Sequence, residues 1–355
     1  MKNITYPIYT LLALLFVSCI GTNKTELTSI KVNFSDITPI NQSEGKIVNL
    51  ETTENSLLYD ICNFNAWQDT LVVQSRSFLY AFASDGTFIG SISRKGQAGN
   101  EYLSISNVFF EDGTVGLYDF NKGTVSRFNL KGQLLSSRKC DIADQDIRPF
   151  HVFPWKDGYI ALNSYGGEAA DRKTLCFLNK ELNGGTPITG RSLQNGFSIA
   201  DGIFVDDQDQ VLYWEMMCDT LFTVHDNSLV PLYAIDFGEH ALPGYVAKKD
   251  VYGRIDYVNK SEKEGLLFAG MARYYQRKDN MIYFSCISPE NGILLCRYDE
   301  NEGTARLFAV DFDNQPYTTA PFFLIKDNLV YWEIRNENDP TLNQSLFVMD
   351  LNCLK

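Results

Sequence analysis

A chain of 355 residues with 45% hydrophobic and 21% charged side chains has a globular composition, with room for two ordinary domains or one large repeat domain. Its 44 acidic against 31 basic side chains leave a formal charge of −13, which argues against nucleic-acid binding and favours solubility. The 24 Phe and 19 Tyr favour strands, because flat rings pack well on a pleated surface.

Residues 1–18 read as a signal peptide. Lys2 supplies a short positive start, and the apolar run Ile8 to Val17 is too short to cross a bilayer. Phe16-Val17-Ser18-Cys19 then resembles the lipobox of bacterial lipoproteins, with Phe16 where leucine is usual. The resemblance implies cleavage before Cys19 and lipidation of that residue. Several acyl chains anchor stably, at ~0.8 kcal/mol per buried CH₂. Residues 19–44 are expected to be a tether and lead-in, their Thr, Ser and Asn content suiting a spacer.

From residue 45 the chain repeats. Asp69-Thr70, Asp112-Gly113, Asp157-Gly158, Asp209-Gln210, Asp279-Asn280 and Asp327-Asn328 each precede a β-branched or aromatic run, at spacings of 43, 45, 52, 70 and 48. Such pairs suit tight hairpins, because they tolerate φ > 0 cheaply. A second marker runs in step: Leu79 to Phe82, Val125 to Phe128, Thr174 to Phe177, Leu221 to Val224, Leu295 to Tyr298 and Leu346 to Met349. Phe82 and Phe128 are 46 apart, as are Gly86 and Gly132. A period near 45 with several strands per unit predicts a β-propeller. The fold class is therefore all-β: six four-stranded antiparallel blades spanning 45–355. The lone strand Lys46 to Glu51 is expected to complete the last blade. The 70-residue step predicts a short helical insertion around 239–271, with Val251, Ile255 and Val258 at helical spacing.

Arg94-Lys95-Gly96-Gln97-Ala98-Gly99-Asn100-Glu101-Tyr102 resembles the GxGPGEY-like signature of the six-bladed β-propeller lipoproteins common in Bacteroidetes. Ile47 to Glu51, Phe82 with Asp85-Gly86 and Phe88-Ile89, and Ile235 to Gly238 extend the match over most of the mature chain. The layout is also similar to NHL-type and TolB-type propellers, which bind partners. The resemblance implies fold and location more than activity. No acidic run follows Cys19, and such a run resembles this phylum's surface-export signal. The expected location is therefore a lipid-anchored, periplasm-facing one in the cell envelope, with the cell surface as alternative.

The candidate ligand-binding residues are Arg94, Lys95, Glu101 and Tyr102 in that glycine-containing loop, and Trp155, which precedes a hairpin turn. Against a binding role stands a structural crossover in which Tyr102 packs between blades. Trp214 and Trp332 occupy matching places, as Phe284 does, and read as packing between repeats. The Asp206, Asp207 and Asp209 loop lacks the EF-hand pattern and reads as a solvated hairpin tip. His151, His225 and His240 lie at no ligand spacing, so no metal or cofactor is expected. No nucleophile motif occurs, and no catalytic residue can be chosen. Seven cysteines remain after cleavage, an odd number, so at most one disulfide is expected, Cys286 with Cys296 across a hairpin. The expected function is a monomeric, non-enzymatic binding or scaffold module for a peptide, protein or glycan. The alternative is a carbohydrate-active hydrolase or lyase using carboxylates in the funnel.

Overall fold

The computed structural model describes residues 27–355, apart from 93–94, 112, 143–146, 164–172, 190–199, 207, 216–217, 250, 289, 291, 313–316, 337–338 and 340. Cys19, Arg94 and Asp207 therefore lie outside the described residues.

Three strands open the chain: β1 (Thr28–Lys31), β2 (Ile37–Asn41) and β3 (Gly45–Asn49). Six blades follow. Blade 1 is β4 (Ile61–Trp67), β5 (Thr70–Ser75), β6 (Phe78–Ala83) and β7 (Phe88–Ser91). Blade 2 is β8 (Asn107–Glu111), β9 (Thr114–Asp119), β10 (Thr124–Phe128) and β11 (Leu134–Lys139). Blade 3 is β12 (Pro149–Trp155), β13 (Gly158–Asn163), β14 (Lys173–Asn179) and β15 (Thr186–Thr189). Blade 4 is β16 (Ala200–Val205), β17 (Val211–Glu215), β18 (Thr220–His225) and β19 (Ser228–Asp236). Blade 5 is β20 (Gly270–Lys278), β21 (Met281–Ser288), β22 (Gly292–Asp299) and β23 (Thr304–Asp311). Blade 6 is β24 (Tyr317–Lys326), β25 (Leu329–Asn336) and β26 (Ser345–Asp350), and β3 pairs antiparallel with β26 from Ser345–Asn49 to Met349–Gly45. The ring is thus closed by the strand that the sequence assigns to the last blade.

The first strands of neighbouring blades touch one another and surround the axis. Between blades lie the cores. Phe82, Tyr331 and Val348 join blades 6 and 1, while Leu79, Tyr102 and Val115 join blades 1 and 2. Tyr118 and Ile147 lie in the cluster between blades 2 and 3, and Trp214 and Phe284 in the large cluster of blades 3 to 5. Trp332 and Phe308 fill the last gap, between blades 5 and 6. No single blade can bury both its faces, so closure of the ring is what buries the aromatics.

The turn markers behave as their chemistry requires, with one refinement. Asp279 and Asp327 take left-handed φ of +54° and +55°. In blades 1 and 3 the left-handed residue is instead Gln68 or Lys156, immediately before the aspartate. The aspartates therefore occupy two different positions of the same two-residue turn.

Two expectations are corrected. The lead-in is not only a tether: β1 adds in parallel to the outer strand of blade 4, and β2 to that of blade 5. Cys286 and Cys296 do not face each other, since Cys286 lies opposite Leu294 and Cys296 opposite Phe284. The seven described cysteines are free, and burial pushes the Cys286 thiol up to about 12, far from a reactive thiolate.

The insertion is helical as expected, with α1 (Gly244–Ala247) and α2 (Val251–Lys263). Val246 of α1 is fully buried; in α2, however, the most deeply buried described residue is Arg254 at 0% exposure, while Ile255 and Val258 are only half-buried. Arg254 lies close enough to Asp219, in the turn between β17 and β18, to favour that carboxylate's charge. The excursion thus sets a buried arginine near an acidic group of blade 4.

Candidate functional site

The two ends of the disc differ in chemistry. Strands alternate in direction within a blade, so first-to-second hairpins gather at one end near the axis. Second-to-third turns and the crossovers between blades gather at the other. Hydrogen bonds confirm both groupings. At the crossover end, the Lys122 ammonium in a second-to-third turn donates to the Ala98 and Glu101 carbonyls at 2.9 and 2.5 Å. At the hairpin end, the Trp155 indole N–H donates to the Asp209 carbonyl of the next blade at 2.7 Å. Arg277 there reaches Asp206 at 3.3 Å and Glu300 at 2.8 Å.

This grouping places the sequence candidates. Lys95 is exposed, with its ammonium 3.4 Å from the Ser77 hydroxyl. Glu101 turns back on its own loop and accepts the Ala98 N–H at 2.9 Å. A Cβ at Gly96 would meet that carboxylate at 2.0 Å, so a larger residue there would push the Glu101 side chain aside. Tyr102 is 1% exposed between blades 1 and 2, and its hydroxyl donates to the Ser77 carbonyl at 2.5 Å. Trp155 lies at the opposite end, edge-on to Phe177. The loop and the tryptophan do not converge on one cavity. The acidic hairpin is a solvated tip only in part: Asp209 is exposed, but Asp206 is buried, accepts the Gln208 and Gln210 N–H groups at 2.9 and 2.7 Å, and pairs with Arg277. Among the described residues no group of three metal-ligating side chains occurs.

What strand-based reasoning missed is the exposed apolar surface. Leu57 and Tyr59 stand on the crossover into blade 1, and Phe120 and Phe150 meet at 5.6 Å by blades 2 and 3. Tyr245, Tyr252, Leu266 and Leu267 project from the insertion, and Ile287 and Leu342 flank second-to-third turns. All belong to the crossover end. At the hairpin end the described residues show Leu329 after a first-to-second turn, and Ile89 and Leu135 just after third-to-fourth turns; none of these is aromatic. The sequence signal was partial: Leu57, Tyr59, Leu266 and Leu267 interrupt loops, where no strand needs them, whereas Phe150 and Ile287 lie within β12 and β21.

A second feature sits at the same end, at the seam between blades 6 and 1. Glu333 is 0% exposed. Its Oε1 accepts the Arg335 guanidinium at 3.1 Å, and Arg335 also reaches Asp60 at 3.3 Å. Its Oε2 and the Gln344 Oε1 have no partner among the described residues. Burial pushes the Glu333 carboxyl up to about 7, against the pull of Arg335 and with the push of Asp60. A carboxyl raised in the fold is protonated more readily there than in the unfolded chain. Stability is therefore full at low pH and falls as pH rises from about 4.5 to about 7, on the order of 3 kcal/mol. Asp219, raised to about 7 by burial, acts with the same sign. Urea midpoints measured from pH 4 to 8 should fall less steeply in Glu333→Gln than in the parent; equal slopes would remove Glu333 from this role.

Residues 22–338 match the model of DUF4934, a domain of unknown function. The chain belongs to that family. No curated protein matches the DUF4934 chain in sequence. Among solved structures it is similar to a candidate exported protein of Bacteroides fragilis, with TM-score 0.61 and 14% identity over 91% of this chain and 99% of that one. It is also similar to a DUF4221-family member of Bacteroides vulgatus, with TM-score 0.56 and 10% identity over 87% and 98%. Virginiamycin B lyase of Staphylococcus aureus follows at TM-score 0.49 and 8% identity, over 86% and 99%, a likeness too low to carry an argument about chemistry.

Proposed function

We propose that this DUF4934 protein is a lipid-anchored protein of the bacterial cell envelope that binds a protein or peptide partner through its crossover end, without catalysis. One observation carries the binding reading: among the described residues the exposed aromatic side chains all lie at that end, together with most of the exposed aliphatic ones. Exposed tyrosines surrounded by aliphatic neighbours are the usual composition of a recognition surface, because they give large contact area for little lost rotamer freedom. Anchoring rests on the lipobox-like Ser18-Cys19, and the fold shared with a candidate exported protein supports export.

Two measurements test the two halves. Cys19→Ala should move the protein from the membrane pellet to the soluble fraction; an unchanged distribution rejects the anchor. A thermal-shift screen against peptides and glycans should yield a peptide hit, since a ligand bound at a hundredfold excess over Kd stabilises by about 2.7 kcal/mol. The Leu57→Ser/Tyr245→Ser/Tyr252→Ser variant should bind that hit about tenfold or more weakly. Leu329→Ser, at the opposite end, should bind as the parent does. A hit indifferent to the triple variant, or a glycan that is turned over, rejects the binding reading.

A further inference from the structure

At the outer root of the insertion three distant stretches enclose a cleft of about 330 Å³. They are the link between β1 and β2 (Asn33, Phe34), the start of the insertion (Phe237 to His240), and the turn after β21 (Ser288, Glu290). The volume falls in the range of small-ligand sites. Its walls are rings and carboxylates. Phe34 stacks on buried Phe237 at 6.0 Å and 15°, and meets His240 edge-on at 5.7 Å. Glu239 and Glu290 supply negative charge from exposed positions, His240 Nε2 lies 4.0 Å from Glu239, and no lysine or arginine is among the described lining residues.

The walls are also fixed in place. Asn33 accepts the Ser35 N–H and hydroxyl at 3.1 and 2.8 Å. Gly238 N–H donates to Asp236 at 2.9 Å. The His240 carbonyl accepts the Ala269 N–H at 2.9 Å, which ties the two ends of the insertion together. A cleft whose backbone is held this way loses little entropy when it is filled.

We infer that this cleft seats a cationic group, the guanidinium or ammonium of a partner side chain, between the Phe34 and His240 rings and the Glu239 and Glu290 carboxylates. Ring faces attract cations, and two carboxylates whose one basic neighbour among the described lining residues is His240, 4.0 Å from Glu239, favour a positive counterpart. A sugar would gain from the rings but not from the uncompensated charge; an anion would be repelled. The inference deepens the binding reading above and rests on it, because the cleft opens beside the crossovers that carry the exposed aromatics.

The test uses N-acetyl-arginine amide and N-acetyl-lysine amide as probes, followed by amide chemical shifts on the whole protein. The citrulline analogue, which keeps shape without charge, and methyl glucoside are the opposing arms. The arginine probe should shift residues of the cleft and bind about tenfold more tightly than the citrulline analogue. Its affinity should fall about tenfold in Glu239→Gln/Glu290→Gln, and also on raising salt from about 0.05 M to about 0.5 M. Phe34→Ala should weaken it as well. Equal binding of citrulline, preference for the glucoside, no shift at all, or indifference to the double variant would each overturn the inference. The two proposals fail separately. If only the cleft inference is wrong, a peptide hit still depends on Leu57, Tyr245 and Tyr252 while the arginine probe does nothing. If only the face reading is wrong, the arginine probe still depends on the two glutamates.

Discussion

Asn343→Ala should destabilise the protein by about 2–5 kcal/mol and loosen the point where the ring closes. Asn343 is 5% exposed in the turn between β25 and β26. Its Oδ1 accepts the Leu58 N–H at 2.7 Å, and its amide donates to the Glu51 and Ser56 carbonyls at 2.8 and 2.7 Å. Its own backbone N–H donates to the Thr52 hydroxyl at 2.9 Å. One side chain thus holds the whole crossover that joins β3 to β4. Truncation leaves the Leu58 N–H and the Ser56 carbonyl buried without partners; Glu51 keeps the Ser56 hydroxyl at 2.7 Å. Each orphaned group costs ~1–3 kcal/mol. Urea unfolding measures the total. Hydrogen exchange at Leu58 locates it, and should accelerate by more than the exchange of blade 3 amides does. An unchanged Leu58 rate would show that the crossover is held by something else. Asn343→Asp separates the two roles, because it keeps an acceptor for Leu58 and loses both donations.

Trp214→Ala should cost about 3–5 kcal/mol, through lost packing and a residual cavity in the largest core. Trp214 is 1% exposed, and its indole N–H donates to the Cys218 carbonyl at 2.5 Å. It sits in the cluster that joins blades 3, 4 and 5, so the void would open between blades as well as within one. A thermal midpoint lower by roughly 4–7 °C is expected for a domain of this size. Trp214→Phe should recover most of the packing yet remain below the parent, because the Cys218 carbonyl loses its donor. If the two variants are equally stable, restoring a ring recovers nothing, and the inter-blade packing role is rejected.

The architecture was legible in the sequence because what repeats is a strand, a tight turn and a strand, and turn chemistry leaves letters behind. The letters drift by one position: Asp279 itself is left-handed, whereas in blade 3 Lys156 is, one residue before Asp157. That drift is part of why the spacings scatter. Closure by β3 was readable since Val48 and its alternating neighbours form a recognisable strand. β1 and β2 were not. Each buries a single residue deeply, Ile30 or Ile40, and pairs with a strand some 200 residues or more away in sequence, so local alternation is too weak to see. The glycine-containing loop drew notice as a motif, yet its tyrosine is spent on blade packing and its glutamate on its own turn. The exposed face went unread for the opposite reason. Leu57, Tyr245 and Tyr252 have no shared spacing, and only the fold brings them to one end.

The order in which the first three strands dock has a mechanical consequence. β1 lies on blade 4, β2 on blade 5 and β3 in blade 6, so the leading segment wraps half the circumference before it closes the wheel. Any tension applied at the leading end must strip β1 first, through four residue pairs, and then β2, through five. Only after both have come away does strain arrive at β3. Under such tension the outer pairings are the first to be lost and the ring's closing strand is the last of the three.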